Sequence, residues 1–209
     1  MLWLEAMRNE IESHMEMGTW TLEPIPDGRD LVGCRWVFKL KLDAQGIIKH
    51  KARLVAQGFS QTPGVDLHET FSPFTRFANI RALLALSVYL GWFVHQLDVV
   101  TAYLYSLLNI PICMRQPPLF EAPGQAYLAC RLRCAVYGLR QSGGEWYFTL
   151  RTALIELGFK CCIADPAILP AVRTAPHLSS PYTWTTFSSL AHAWRSSPPL
   201  RPPSPNDSR

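Results

Sequence analysis

No hydrophobic run in this sequence is long enough to cross a bilayer. The longest, residues 82–94, has 13 residues, is broken by Ser87 and Gly91, and is flanked by Arg81 and His95, where a membrane helix needs about 20. A secretory leader is missing too: Glu5 stands where a leader has its basic start, and no small-residue cleavage site follows. The expectation is an intracellular protein, of cytoplasm or nucleus, without a membrane partner. Cysteine is sparse and lacks the paired short spacings of a zinc ribbon: Cys34, Cys113, Cys130, Cys134, Cys161 and Cys162 would stay thiols in a reducing compartment. Aspartate is scarcer than it looks. No two of the seven are adjacent, and Asp207 is the only one after Asp165.

What is present suffices for a core: 209 residues, 48% hydrophobic and 17% charged. A formal charge of +4 suits a polyanionic partner without specifying one. Composition changes near residue 166. Residues 166–209 hold nine of the 17 prolines, eight serines and a single acid, a mixture that buries too little apolar surface to offset its ordering entropy. Two regions follow: 1–167 folded, and 168–209 a Pro/Ser-rich tail expected to be disordered.

Periodicity divides the first region into mixed helix and strand. Leu4, Met7, Ile11 and Met15 mark one face of a helix ended by Gly18. Residues 35–42 alternate strictly, with Trp36, Phe38, Leu40 and Leu42 on one side, and predict a half-buried strand. The turn residues Asp43 to Gly46 precede a return run, 47–57, so that Arg35, Lys39, Lys41, Lys49, Lys51 and Arg53 share one side of a hairpin. A phosphate grip and a solvated lysine face both fit that pattern. Further on, 79–90 reads as a buried helix and 92–99 as a strand that brings Asp98 to its end, where the carboxylate holds a cation or caps a helix at Thr101. Residues 144–157 read as a helix and 159–164 as a short strand.

Several stretches then carry a resemblance that spacing alone does not: GTWTLEPIP from Gly18, VGCRWVFKLKLDAQG from Val32, KARLVAQGFSQTPGVD from Lys51, ETFSPFTRFANIRALLALS from Glu69, GWFVHQLDVVTAYL from Gly91, MRQPP from Met114, and CRLRCAVYGLRQSGGEWY from Cys130. In this order they resemble the reverse transcriptase domain of copia-type long-terminal-repeat retrotransposons. The resemblance implies an α/β (α+β) fold: a partial right-hand polymerase with a fingers β-hairpin and an incomplete palm sheet flanked by helices. It implies RNA/DNA template-primer and deoxynucleoside triphosphate as partners and Mg²⁺ as cofactor. Asp98 matches the first metal-binding aspartate, with the backbone carbonyl of Val99 beside it. Lys51 and Arg53 match cations that neutralise the triphosphate, Tyr103 the aromatic beneath the nucleotide sugar (or a core residue), and Gln141 a residue lining the nucleotide and template side.

The family's Tyr-x-Asp-Asp hairpin, source of the other two catalytic aspartates, does not occur in these 209 residues. Departure from the family pattern begins near Leu169, as reading out of frame, or through an unspliced junction, would produce. Residues 105–111 have also lost the acids expected before Met114. The expectation is a degenerate copia-type fragment without RNA-directed DNA polymerase activity. The alternatives are a retained nucleic-acid-binding module, or a polymerase completed in trans by a partner bearing the missing hairpin.

Overall fold

The stripe that the first helix buries is rotated from the one its apolar spacing marks out. In the computed structural model, which describes residues 2–26, 28, 30–42, 46, 48–66, 70–96, 98–172 and 182–186, α1 (Leu2–Glu16) encloses Met7 and His14 and packs Ile11 on the core. Leu4 and Met15, two of the four residues expected inside, are exposed. Trp3 sets the rotation. Its indole meets the rings of Phe38 at 5.0 Å and His50 at 4.4 Å, both edge-on, each contact worth about 1 kcal/mol beyond burial. On the same side Glu10 accepts the N–H of Leu54 at 3.3 Å.

His14 is buried, with its Nε2 3.9 Å from Glu10 Oε1. Its Nδ1 lies 3.2 Å from the Thr19 hydroxyl and its ring 4.9 Å from that of Trp20, while Nε2 has no hydrogen-bond partner. Burial pushes its pKa down to about 4, because desolvation disfavours the imidazolium. The unfolded chain takes up a proton below about pH 6.5 that the folded ring refuses, so stability present above that pH is lost as pH falls toward 4. The expected loss approaches about 3 kcal/mol. Glu10 works in the opposite direction, since burial raises its pKa and favours the fold as pH falls. Urea unfolding at about pH 7 and about pH 4.5 measures the sum; in Glu10→Gln, where the opposing carboxyl is gone, a midpoint no lower at the acid pH would contradict the enclosure of His14.

Strands β1 (Trp20–Pro24), β2 (Cys34–Leu42), β3 (Ile48–Ala56), β4 (Leu107–Met114) and β5 (Leu128–Cys134) form two antiparallel arrangements, the sheet β1-β5-β4 and the hairpin β2-β3. In β5, Cys130, Leu132 and Cys134 face the core while Arg131 is exposed. β4 contains Pro111, which lacks an N–H, and accordingly takes the sheet edge with a register break between Leu107 and Ile112. Trp20, Val32, Leu54, Leu104, Ile112, Met114, Cys130, Leu132, Val136 and Leu139 make one buried cluster. The hairpin is tied to β4 at its base: Val32 donates to Cys113 O at 3.0 Å and Arg115 donates to Val32 O at 2.9 Å.

The chain parts into two units, Met1–Phe71 with Thr101–Trp146 and Ser72–Val100 with Tyr147–Arg209. All of the elements above belong to the first. The second contains α2 (Phe77–Tyr89), most of α3 (Ser142–Glu156), β6 (Ile168–Val172) and β7 (Tyr182–Thr186). α2 forms where a helix is expected but buries no residue, with Phe77, Val88 and Tyr89 almost fully exposed. Its apolar composition therefore reflects helix propensity and not enclosure. Asn79 on α2 donates to Asp165 Oδ2 at 2.6 Å, and Thr75 donates to Ala167 O at 3.3 Å.

Two expected strands are absent. The described residues of 92–99 are irregular and belong to none of the sheets; a strand propensity is realised only in a sheet context. Residues 159–164 are also not a strand, although Lys160 donates to Pro170 O and Cys162 to Ile168 O, so they run beside β6. β6 and β7 pair antiparallel from Ile168↔Thr186 to Val172↔Tyr182, within the stretch read as tail. Ala167, Ile168 and Leu169 are buried. Residues 173–181 and 187–209, for which disorder is expected, lie outside the described residues. No helix among the described residues is long and apolar enough to cross a membrane.

Candidate functional site

The hairpin sorts its side chains by charge. Its register sets Arg35 opposite Val55, Val37 opposite Arg53, Lys39 opposite Lys51 and Lys41 opposite Lys49. Directly paired residues share a face, so six cations stand on one side with only two valines among them. On the other side Leu54 and Ala52 are enclosed and Trp36 and His50 half-buried, while Phe38, Leu40 and Leu42 are exposed, increasingly so toward the turn. Turn residues 43–45 lie outside the described residues.

Arg53 lies over an aromatic ring. Its guanidinium carbon lies 4.8 Å from the ring centroid of Tyr137, and Tyr137 in turn meets Tyr103 edge-on at 4.8 Å and 67°. The backbone fixes this stack. Ala56 at the end of β3 donates to Tyr137 O at 2.7 Å, Gly58 donates to Gly138 O at 3.2 Å, and Ala135 donates to Ser106 O at 2.8 Å, just after the 3-10 turn (Ala102–Tyr105) that carries Tyr103. The turn at Tyr137 therefore extends the pairing of the strand that bears Arg53. Lys51, two residues earlier, shares its face, and both cations help hold down the Glu10 carboxyl against the larger upward push of burial.

Gln141 lies just before α3 and is committed internally. Gln61 Nε2 donates to its Oε1 at 2.9 Å, and its own Nε2 donates to Asp66 O at 3.0 Å. Gln61 Oε1 accepts the N–H of Arg140 at 2.9 Å, and Asp66 Oδ2 accepts that of Thr62 at 2.9 Å. Both glutamines are buried, so this amide cluster fastens residues 61–66 to the start of α3.

Asp98 and Val99 belong to the second unit, the first exposed and the second half-buried. The cap of the following 3-10 turn is Thr101, not Asp98. Thr101 has φ 53 and no side-chain bond to the turn, a left-handed conformation that a β-branched residue rarely takes. Among the described residues no three His, Cys, Asp or Glu side chains are grouped so as to hold a metal ion.

The family model described as reverse transcriptase (RNA-dependent DNA polymerase) matches residues 17–169. The chain belongs to the reverse transcriptase family. It is 42% identical over 173 residues, 82% of its length, to the retrovirus-related Pol polyprotein from transposon RE2 of Arabidopsis thaliana. The corresponding polyprotein from transposon TNT 1-94 of Nicotiana tabacum is 38% identical over 79% of the chain. The truncated transposon Ty1-A Gag-Pol polyprotein of Saccharomyces cerevisiae is 30% identical over 74%. The matched part spans 12% of the first two relatives and 13% of the third. No solved structure matches the chain.

These relatives bear out the copia-type assignment that the motifs suggest. For this reverse transcriptase domain a pair of Mg²⁺ ions is the implied cofactor, and the residues here do not fit it. One exposed carboxylate and a backbone carbonyl fall short of what two near-octahedral ions require, even with substrate phosphates added. Of the residues expected at the site, the structure joins Arg53 to Tyr103, through Tyr137. That third residue stands in the motif that begins at Cys130, and Gln61 in the one that begins at Lys51, but the sequence reading gives neither a role.

Proposed function

We propose that this chain comprises the fingers and the first part of the palm of a copia-type reverse transcriptase, and that these 209 residues bind polyanionic substrate without transferring a nucleotide. The observation that carries the binding half is the register of the hairpin. Two lysine pairs stand directly opposed, Lys39 with Lys51 and Lys41 with Lys49. Like charges so placed destabilise a hairpin, and phosphates laid across them turn the repulsion into attraction.

The second half rests on ligand count. Phosphoryl transfer by two metal ions needs carboxylates that fix both ions against the attacking and leaving oxygens. Asp98 alone cannot do so, and the sequence carries no Tyr-x-Asp-Asp. If each lost metal role costs several kcal/mol, with about 1.4 kcal/mol per tenfold, the rate falls by several orders of magnitude. The side chains then orient and neutralise phosphate, and chemistry stops there.

A single preparation tests both halves. The chain should shift a labelled RNA/DNA primer-template in a binding assay and leave the primer unextended with Mg²⁺ and nucleoside triphosphates, whether residue 98 is Asp or Asn. Extension that Asp98→Asn abolishes would overturn the inactive reading and point to carboxylates supplied by a second chain. Absence of binding at low salt would overturn the grip.

A further inference from the structure

We propose that Tyr137 is the positioning residue of the phosphate grip, holding the Arg53 guanidinium in one orientation and linking it to Tyr103; this rests on the reading of the hairpin as a binding face. An arginine on an exposed strand surrenders rotamer freedom when it engages a phosphate. Arg53 has given up part of that freedom already, because its guanidinium lies over the Tyr137 ring at 4.8 Å. The ring takes the face of the cation and leaves the in-plane N–H fork for two phosphate oxygens, the bidentate geometry that makes arginine a better phosphate ligand than a flexible ammonium. Lys39, Lys41 and Lys49, exposed on long stems, attract a polyanion without setting its orientation.

The ring can act as a fixed platform because its backbone is fixed. Tyr137 O accepts the Ala56 N–H at 2.7 Å, three residues beyond Arg53 on the same strand, so cation and platform are set by one ladder of bonds. Tyr103 rests edge-on against the other partner of the stack. Tyr103 is thus a second ring that buttresses the platform on which Arg53 lies.

Inorganic tripolyphosphate and dTTP are the probes, titrated calorimetrically into the full chain. Tyr137→Phe should bind both as wild type does. Tyr137→Leu should weaken both about five- to tenfold, within the range of a cation–π contact. Arg53→Ala should weaken binding at least as much, and adding Tyr137→Leu to Arg53→Ala should cost nothing more. A Tyr137→Leu loss that persists undiminished without Arg53, or no loss at all, would overturn the proposal while leaving the binding face intact. A measurement on the unliganded wild type needs no variant to fold: the Arg53 Nε–H order parameter should exceed that of Arg35 on the same strand pair, and equal values would overturn the platform role. A wild-type chain that binds neither probe would overturn the binding face and this inference with it.

Discussion

Replacing Gly138 with alanine is expected to cost more than about 3 kcal/mol, a large share of the stability of a marginally stable domain. A methyl group there would stand 2.1 Å from Ala56 O and 2.7 Å from Val55 Cγ1, and the backbone has φ +92. Neither obstacle can yield cheaply. The carbonyl belongs to the strand end that binds the Tyr137 turn through the 2.7 Å hydrogen bond, so moving it breaks the connection between β3 and the turn. Gly124→Ala is the matched control, with φ +72 and nothing within 4 Å; it should cost only the conformational strain, about 1 kcal/mol. Urea midpoints of the two variants decide the point. Equal losses would mean that the close approach at Gly138 is not a constraint on the fold.

Changing Lys41 and Lys49 together to glutamine should move stability and binding in opposite directions. The pair is directly opposed, and removing both charges relieves a repulsion worth some tenths of a kcal/mol to about 1 kcal/mol, so the melting temperature rises. Affinity for a duplex oligonucleotide should drop, and its logarithmic dependence on salt should flatten by about 1.8, or roughly 0.9 for each phosphate contact removed. With all six cations in place, affinity should fall about a thousandfold between about 50 and 200 mM salt. A variant that is more stable and binds with an unchanged salt slope would show that these lysines meet solvent and not phosphate.

Much of the hairpin was legible because two independent signals coincide on it. The alternation of residues 35–42 fixes which side chains share a face, and the cations on the return strand land on the same side in the register that the structure adopts, whereas a one-residue slip would part them. The central sheet was not legible. β1 and β5 are brief and their pairing is a tertiary event, while β4 disguises itself with Pro111 and a register break. α2 shows the limit of composition: its residues are apolar enough to be buried and good enough helix formers to be a helix without burial. At the candidate site, charge and motif pointed to Lys51, Arg53 and Tyr103, but an aromatic in a turn has no period, so Tyr137 stayed hidden. Gln141 was named for its motif, and its hydrogen bonds are seen only once Gln61 and Asp66 arrive from far away in the chain.

The order in which the chain visits its two units bears on how such a domain can be divided. Met1–Phe71 and Thr101–Trp146 make the first, and Ser72–Val100 is spliced between them as a part of the second. The hairpin, the Tyr137 turn and Tyr103 all fall in the first; Asp98 falls in the splice. The residues proposed to hold phosphate and the aspartate that the family resemblance assigns to a metal are thus interleaved along the sequence but allotted to different units of the protein. A sequence change confined to the region after Trp146 alters the second body and touches none of the residues of the grip, and closing a loop in place of 72–100 costs entropy that grows only with the logarithm of its length. Under the proposed function, the part that binds polyanion can therefore be kept through sequence change that removes the part that would have used it.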